Sequence, residues 1–129
     1  MVMTAIIVED EPVAYRRLKR MLVETFGEEV DVVAHFDSVQ ATAEYLHSTP
    51  HPDIIFLDIQ LSDGSSFDLF DMADIESNII FITAFDQYAI EAFRKNAVDY
   101  LLKPIKKAEL IEAVERGDFS KAKAAKAVG

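Results

Sequence analysis

Three acidic residues follow directly on an aliphatic run: Ala5-Ile6-Ile7-Val8 leads into Glu9-Asp10-Glu11. Ile54-Ile55-Phe56-Leu57 likewise delivers Asp58, Ile79-Ile80-Phe81-Ile82 delivers Thr83 and Ala84, and Tyr100-Leu101-Leu102 delivers Lys103 and Pro104. As neighbouring strands, these runs would bring several carboxylates, a hydroxyl and an ammonium to one sheet edge. Ligands of open α/β sheets bind outside the carboxyl ends of the strands. Carboxylates so close repel: two unit charges ~4 Å apart interact by about 4 kcal/mol at an effective dielectric near 20. Such a cluster needs a cation, a proton or a lysine. Hard oxygen ligands with an incomplete shell suit Mg2+, which keeps waters and shares itself with a phosphate. A carboxylate beside such an ion can attack phosphorus and become an aspartyl phosphate. Asp58 is the candidate nucleophile, with Thr83 able to donate to one phosphoryl oxygen and Lys103 able to neutralise another. Taken singly, each piece has a plainer reading. An acidic run is a solvated loop or a helix start favoured by the dipole, a lone Asp is a cap, and Lys-Pro is a turn. Their meeting at one edge favours the chemical reading.

The elements that must position these residues are legible too. The runs lack the polar alternation of a strand with one wet face, which is how strands buried on both sides of a parallel sheet read. A fifth run, Val30-Asp31-Val32-Val33-Ala34, carries a charge and suits a place nearer the sheet edge. Ala14, Leu18, Met21, Leu22 and Phe26 recur at helical spacing, with Pro12 in the opening turn and Gly27 just past the end. Asp37 or Ser38 caps a second helix with the stripe Val39, Thr42, Ala43 and Leu46, and the prolines at 50 and 52 stop it. Phe67, Leu69, Phe70 and Ala73 mark a short third helix. Tyr88, Ala89, Ala92 and Phe93 mark a fourth, ending at a left-handed Asn96, and Leu110, Ala113 and Val114 mark a fifth. Strands alternating with helices predict a three-layer α/β sandwich around a parallel sheet. Phe26, Phe36, Phe56, Phe81 and Phe93 are expected in its core.

The chain has 129 residues, about one domain, with a formal charge of -10 from 13 basic and 23 acidic residues. That charge weighs against direct contact with DNA or RNA. Cysteine is absent, which excludes disulfides and thiol chemistry. His35, His47 and His51 show no zinc-ligand spacing and read as surface or loop residues. No apolar stretch reaches the ~20 residues that cross a bilayer, and the start, turning acidic at once, does not read as a secretory signal. The expectation is a cytoplasmic unit over residues 1–117, with the Ala- and Lys-rich segment 118–129 as a tail or the start of a linker.

The blocks Ile7-Val8-Glu9-Asp10-Glu11-Pro12, Phe56-Leu57-Asp58-Ile59-Gln60, Phe81-Ile82-Thr83-Ala84 and Asp99-Tyr100-Leu101-Leu102-Lys103-Pro104 resemble a receiver domain of a bacterial two-component response regulator. The wording is most similar to receivers attached to LytTR-type DNA-binding domains. The resemblance implies a flavodoxin-like sheet of five strands in the order 2-1-3-4-5. It implies phosphorylation of Asp58 by a sensor histidine kinase, with Mg2+ on Asp10, Asp58 and the Gln60 backbone carbonyl, and Glu9 acting through water or at the edge of the shell. Thr83, Ala84 and Lys103 would hold the phosphoryl group, Tyr100 would change rotamer with Thr83, and the Lys103-Pro104 bond would be cis. A homodimer, and a DNA-binding domain beyond this chain, are implied partners; no enzymatic turnover beyond self-catalysed gain and loss of phosphate is expected. The sequence departs from the family at Glu9, at Leu61-Ser62 in place of Met-Pro, and at Ser66 in place of glycine, so Asp63-Gly64 is expected to make the turn. A phosphatase resembling the haloacid dehalogenase group would need a second Asp at position 60, where Gln60 stands. A phosphorylation-independent interaction module on the same fold is the other alternative.

Overall fold

Every side chain of Ile54–Leu57 is buried. Successive residues of a strand face opposite sides of the sheet, so a strand with no wet position needs a covering layer on both. The computed structural model, which describes the backbone of residues 2–128 and the side chains of residues 2–117, supplies both layers. The elements run β1 (Met3–Val8), α1 (Pro12–Phe26), β2 (Val30–Phe36), α2 (Val39–Ser48), β3 (Ile54–Leu57), α3 (Leu69–Met72), β4 (Asn78–Thr83), α4 (Ala89–Arg94), β5 (Asp99–Leu102) and α5 (Lys107–Val128). Among the described residues, five parallel strands form one sheet in the order β2-β1-β3-β4-β5. This is the three-layer, flavodoxin-like arrangement expected, and the charged run of β2 lies at the edge.

Ile7, Phe56, Ile80 and Ile82 face one layer and pack with Leu18 and Leu22 of α1 and with Leu110, Ala113 and Val114 of α5. Ile6, Ile55, Leu57 and Phe81 face the other and pack with Val39, Ala43 and Leu46 of α2, Leu69 of α3 and Ala92 of α4. The register pairs Val8 with Leu57 and Leu57 with Phe81, which brings the carboxyl ends of β1, β3 and β4 level.

The predicted punctuation holds. Pro12 opens α1, and Gly27 at φ +56° closes it in a conformation that costs a side chain with a Cβ. Asn96 is left-handed at φ +60°. Ser38 accepts from the Ala41 N–H at 3.1 Å and caps α2. After Asp58 the chain makes a short antiparallel pair, Gln60–Leu61 with Gly64–Ser65, turned at Ser62-Asp63, one residue earlier than the expected Asp63-Gly64, because Gly64 pairs with Leu61. From that turn the Asp63 carboxylate accepts the Val39 and Gln40 N–H groups at 2.7 and 3.0 Å, supplying a second cap to α2. These two N–H groups, Gln40 first, hold the Asp63 carboxyl below its ordinary value.

Of the five phenylalanines expected in the core, only Phe56 and Phe81 are fully buried. Phe93 is 81% exposed. Helix α4 has only six residues and buries Ala92, so Ile90 and Phe93 fall off its inward face. Phe26 and Phe36 are half-buried rather than core. The expected tail at 118–129 lies outside the described side chains, and Gly129 outside the described residues; the α5 backbone runs to Val128.

Candidate functional site

The carboxyl ends of β1 and β3 are pinned to each other and to β2. The Asp58 N–H donates to the Val8 carbonyl at 3.0 Å, and the Glu9 N–H donates to the Phe36 carbonyl at 2.9 Å. Glu9, Asp10, Glu11 and Asp58 therefore gather, each offering an oxygen, with these atoms all within 4.8 Å of one another. Glu9 and Asp58 are buried, at 5% and 6% exposure. Lys103 arrives from β5, its N–H donating to the Thr83 carbonyl at 2.8 Å. Its ammonium lies 2.5 Å from Glu9 Oε1, 3.0 Å from Asp58 Oδ2 and 3.4 Å from Glu11 Oε1. The Lys103-Pro104 bond is cis.

The electrostatics follow from this packing. Burial, with the neighbouring Asp58 charge adding to it, pushes the Glu9 carboxyl up to about 7 against the opposing pull of Lys103. Burial alone would lower the Lys103 ammonium, but its bonds to Glu9 and Asp58 outweigh that and hold it above the usual lysine value. Both directions are expected where one ammonium serves three carboxylates. Backbone donors take part of the charge: Asp58 Oδ1 accepts the Ile59 N–H at 2.7 Å, and Glu9 Oε2 accepts the Glu11 N–H at 3.1 Å.

Thr83 is fully buried at the end of β4, and its Oγ1 accepts the Phe85 N–H at 3.4 Å. Ala84 beside it is exposed. On β5, the Tyr100 hydroxyl donates to the Phe85 carbonyl, with its ring 6.2 Å from that of Phe81. Burial is the main cause that raises this phenol. Gln60 is exposed in the short hairpin after Asp58 and its side-chain amide donates to the Tyr88 hydroxyl at 3.3 Å. A compact all-oxygen acidic set fits a small hard divalent cation such as Mg2+.

A family model described as the response regulator receiver domain matches residues 5–115. The chain belongs to that family. The sensory transduction protein LytT of Bacillus cereus is 38% identical over 114 residues, covering 86% of this chain and 45% of the relative. The transcriptional regulatory protein BtsR of Escherichia coli K12 is 39% identical over 113 residues, covering 86% and 46%. The response regulatory domain of protein mrkE from Klebsiella pneumoniae superimposes with a TM-score of 0.80 at 30% identity, covering 92% of this chain and 97% of that one. The chain spans just under half the length of these curated relatives. It is thus a receiver domain of the two-component type, a signalling unit, and the likeness to LytT- and LytR-named proteins agrees with its wording.

Within the receiver, the structure brings Glu9, Asp10, Asp58 and Lys103 together and sets Thr83 on the strand beside Lys103. One neighbour was expected only as part of the acidic run, and two were not expected. Glu11 shares Lys103. His35 Nε2 donates to the Glu9 carbonyl at 2.8 Å while its ring stacks on Tyr15 at 3.7 Å. Arg17 of α1 donates to the Ile105 carbonyl at 3.2 Å. Glu11 was visible as a third acid in the run; nothing in the spacing signalled the other two. His47 and His51 also sit against backbone carbonyls, of Met72 and Leu46, as loop and surface histidines do. Among the described residues, no helix is long and apolar enough to cross a membrane.

Proposed function

We propose that Asp58 accepts a phosphoryl group from a phosphohistidine of a sensor kinase, and that the receiver then alters a partner-binding face. The observation that carries this reading is the buried Asp58 carboxylate with Lys103 at 3.0 Å inside a four-carboxylate cluster. A carboxylate oxygen of Asp58 attacks phosphorus, the P–N bond breaks, and the histidine imidazole departs with the electron pair. The Ile59 N–H orients Asp58 by holding Oδ1. Lys103, with three donors, pairs with a phosphoryl oxygen, and the Thr83 hydroxyl donates to another. Asp10, Asp58 and the Gln60 backbone carbonyl would hold Mg2+, with Glu9 acting through water. When bound, Mg2+ supplies charge that neutralises the carboxylates and the phosphoryl oxygens. The Ala84 backbone borders the phosphoryl group.

Adding about 1.5–2 negative charges at Asp58 draws Thr83 inward, and Tyr100 follows into the vacated space. This biases the face made by α4, β5 and α5, where Ile90 is 72%, Phe93 81% and Leu102 44% exposed. Apolar side chains so placed suit a homodimer contact. The domain is a cytoplasmic phosphoacceptor rather than a turnover enzyme. It occupies residues 1–117, and the regulated output, transcription through a LytTR-type domain, lies in a longer protein.

Intact mass after exposure to phosphoramidate with Mg2+ tests the assignment. One phosphoryl group is expected on the wild type and none on Asp58→Asn; a gain that persists in Asp58→Asn refutes it. Mg2+ is expected to raise the melting temperature of the wild type and to leave that of Asp10→Ala unchanged.

A further inference from the structure

Helix α1 covers the sheet with Leu18 and Leu22, yet Arg17, beside Leu18, points its guanidinium elsewhere. Its Nη2 donates to the backbone carbonyl of Ile105, 88 residues away, at 3.2 Å. Ile105 lies two residues after Lys103, in the short link between β5 and α5. Both α1 and this link line a cavity of about 210 Å3, with Arg17, Asp58, Lys103 and Ile105 all in its wall. Part of the link is held by packing, because Ile105 shares a core cluster with Leu18 and Leu22 of α1; the Arg17 bond adds a polar tether at its backbone. Upstream, the Lys103 N–H is fixed to the Thr83 carbonyl at 2.8 Å. Downstream, the buried Ile105 side chain and the Arg17 bond fix the chain. Lys103 is thus held from both sides. An ammonium on a four-carbon stem keeps considerable rotamer freedom, so where its backbone sits decides whether it meets Asp58 at 3.0 Å.

We propose that Arg17 is a positioning residue for phosphoryl transfer: by bridging α1 to the Ile105 carbonyl beside the cavity, it keeps the Lys103 link where the ammonium reaches the acceptor site. This rests on the reading of Asp58 as acceptor and Lys103 as the phosphoryl-holding cation. Arg17 touches neither the phosphoryl group nor the cation cluster, and acts only through Lys103. Misplacement of a reacting group by about 1 Å can cost up to 100-fold in rate; loss of one tether of two is expected to cost less.

The test is a double-mutant cycle on the rate of phosphorylation by phosphoramidate at saturating Mg2+. Arg17→Ala is expected to slow the wild type about tenfold, with the melting-temperature shift produced by Mg2+ retained. Arg17→Lys, which keeps a cationic donor, is expected to recover part of that rate. In the Lys103→Ala background, Arg17→Ala is expected to change the rate less than twofold, because the group it positions is already gone. A merely structural role would slow both backgrounds equally. The proposal is overturned if Arg17→Ala phosphorylates at the wild-type rate, or if it slows Lys103→Ala by the same factor as the wild type. Should Arg17→Ala not fold by circular dichroism, Arg17→Gln carries the same cycle. A wild type that takes no phosphoryl group at all refutes the acceptor reading instead, so the two failures are distinct.

Discussion

Replacing Glu9 by glutamine is expected to stabilise the metal-free protein at neutral and alkaline pH. Burial first, and the Asp58 charge after it, raise the Glu9 carboxyl from 4.5 to about 7. That displacement converts to about 3 kcal/mol spent on keeping the group ionised. An amide has one oxygen where the carboxylate has two, so E9Q gives up either the Glu11 N–H or the Lys103 contact, at about 1 kcal/mol. The net gain at pH 8 is therefore about 2 kcal/mol. The sign with pH follows from linkage. The native state holds the Glu9 proton more tightly than the unfolded chain, so the wild type is at full stability below about 4.5 and loses stability as pH rises towards 7. E9Q lacks this slope, and its advantage shrinks as the pH falls. Urea unfolding of both proteins in EDTA, stepped from pH 4.5 to 8, measures the difference. A wild-type stability that stays level across that window, or an E9Q protein weaker than wild type at pH 8, would refute the reasoning.

Three further outcomes can be checked by denaturant or thermal unfolding. Phe56→Ala removes a fully buried ring from the sheet centre and is expected to cost about 3–5 kcal/mol; a loss below 1 kcal/mol would contradict the two-layer core. Asp63→Ala uncaps α2 and is expected to cost about 0.5–1 kcal/mol at pH 7. Because the Asp63 carboxyl is held low by the N–H groups it accepts, its contribution is present above the ordinary Asp range and disappears as pH falls through its depressed value. Equal stability of D63A and wild type at pH 7 would remove that role. Asn96→Val places a β-branched residue at φ +60° and is expected to cost roughly 1–2 kcal/mol, whereas Asn96→Gly is near neutral; equal effects of the two would show that the backbone there relaxes.

Much of the molecule was readable before folding because its signals are local. Ile54–Leu57 and Asn78–Thr83 announce buried strands by continuous apolar character, and Pro12, Gly27, Ser38 and Asn96 act within one turn of where they stand. The convergence of Asp10, Asp58 and Lys103 follows once those strands are taken as neighbours. What escaped depends on distant partners. Asp63 as a cap for Val39 and Gln40, His35 beneath the Glu9 carbonyl, and Arg17 on Ile105 each join residues at least 23 positions apart, with no periodicity to betray them. Phe93 was misplaced because helical spacing tells which residues share a face, but not that a six-residue helix turns only Ala92 inward.

The sheet order has a consequence for synthesis. β1, the first strand made, ends inside the sheet between β2 and β3, while the last strand, β5, leads directly into Lys103. Lys103 stands 92 positions after Glu11 and 45 after Asp58. A ribosome-bound chain that has emerged only through α4 thus owns the full set of acids before the lysine that pairs with three of them. Completion of the pocket is a late event within the receiver, coincident with docking of its final strand, so the ability to take up phosphate certifies that all five strands have come together.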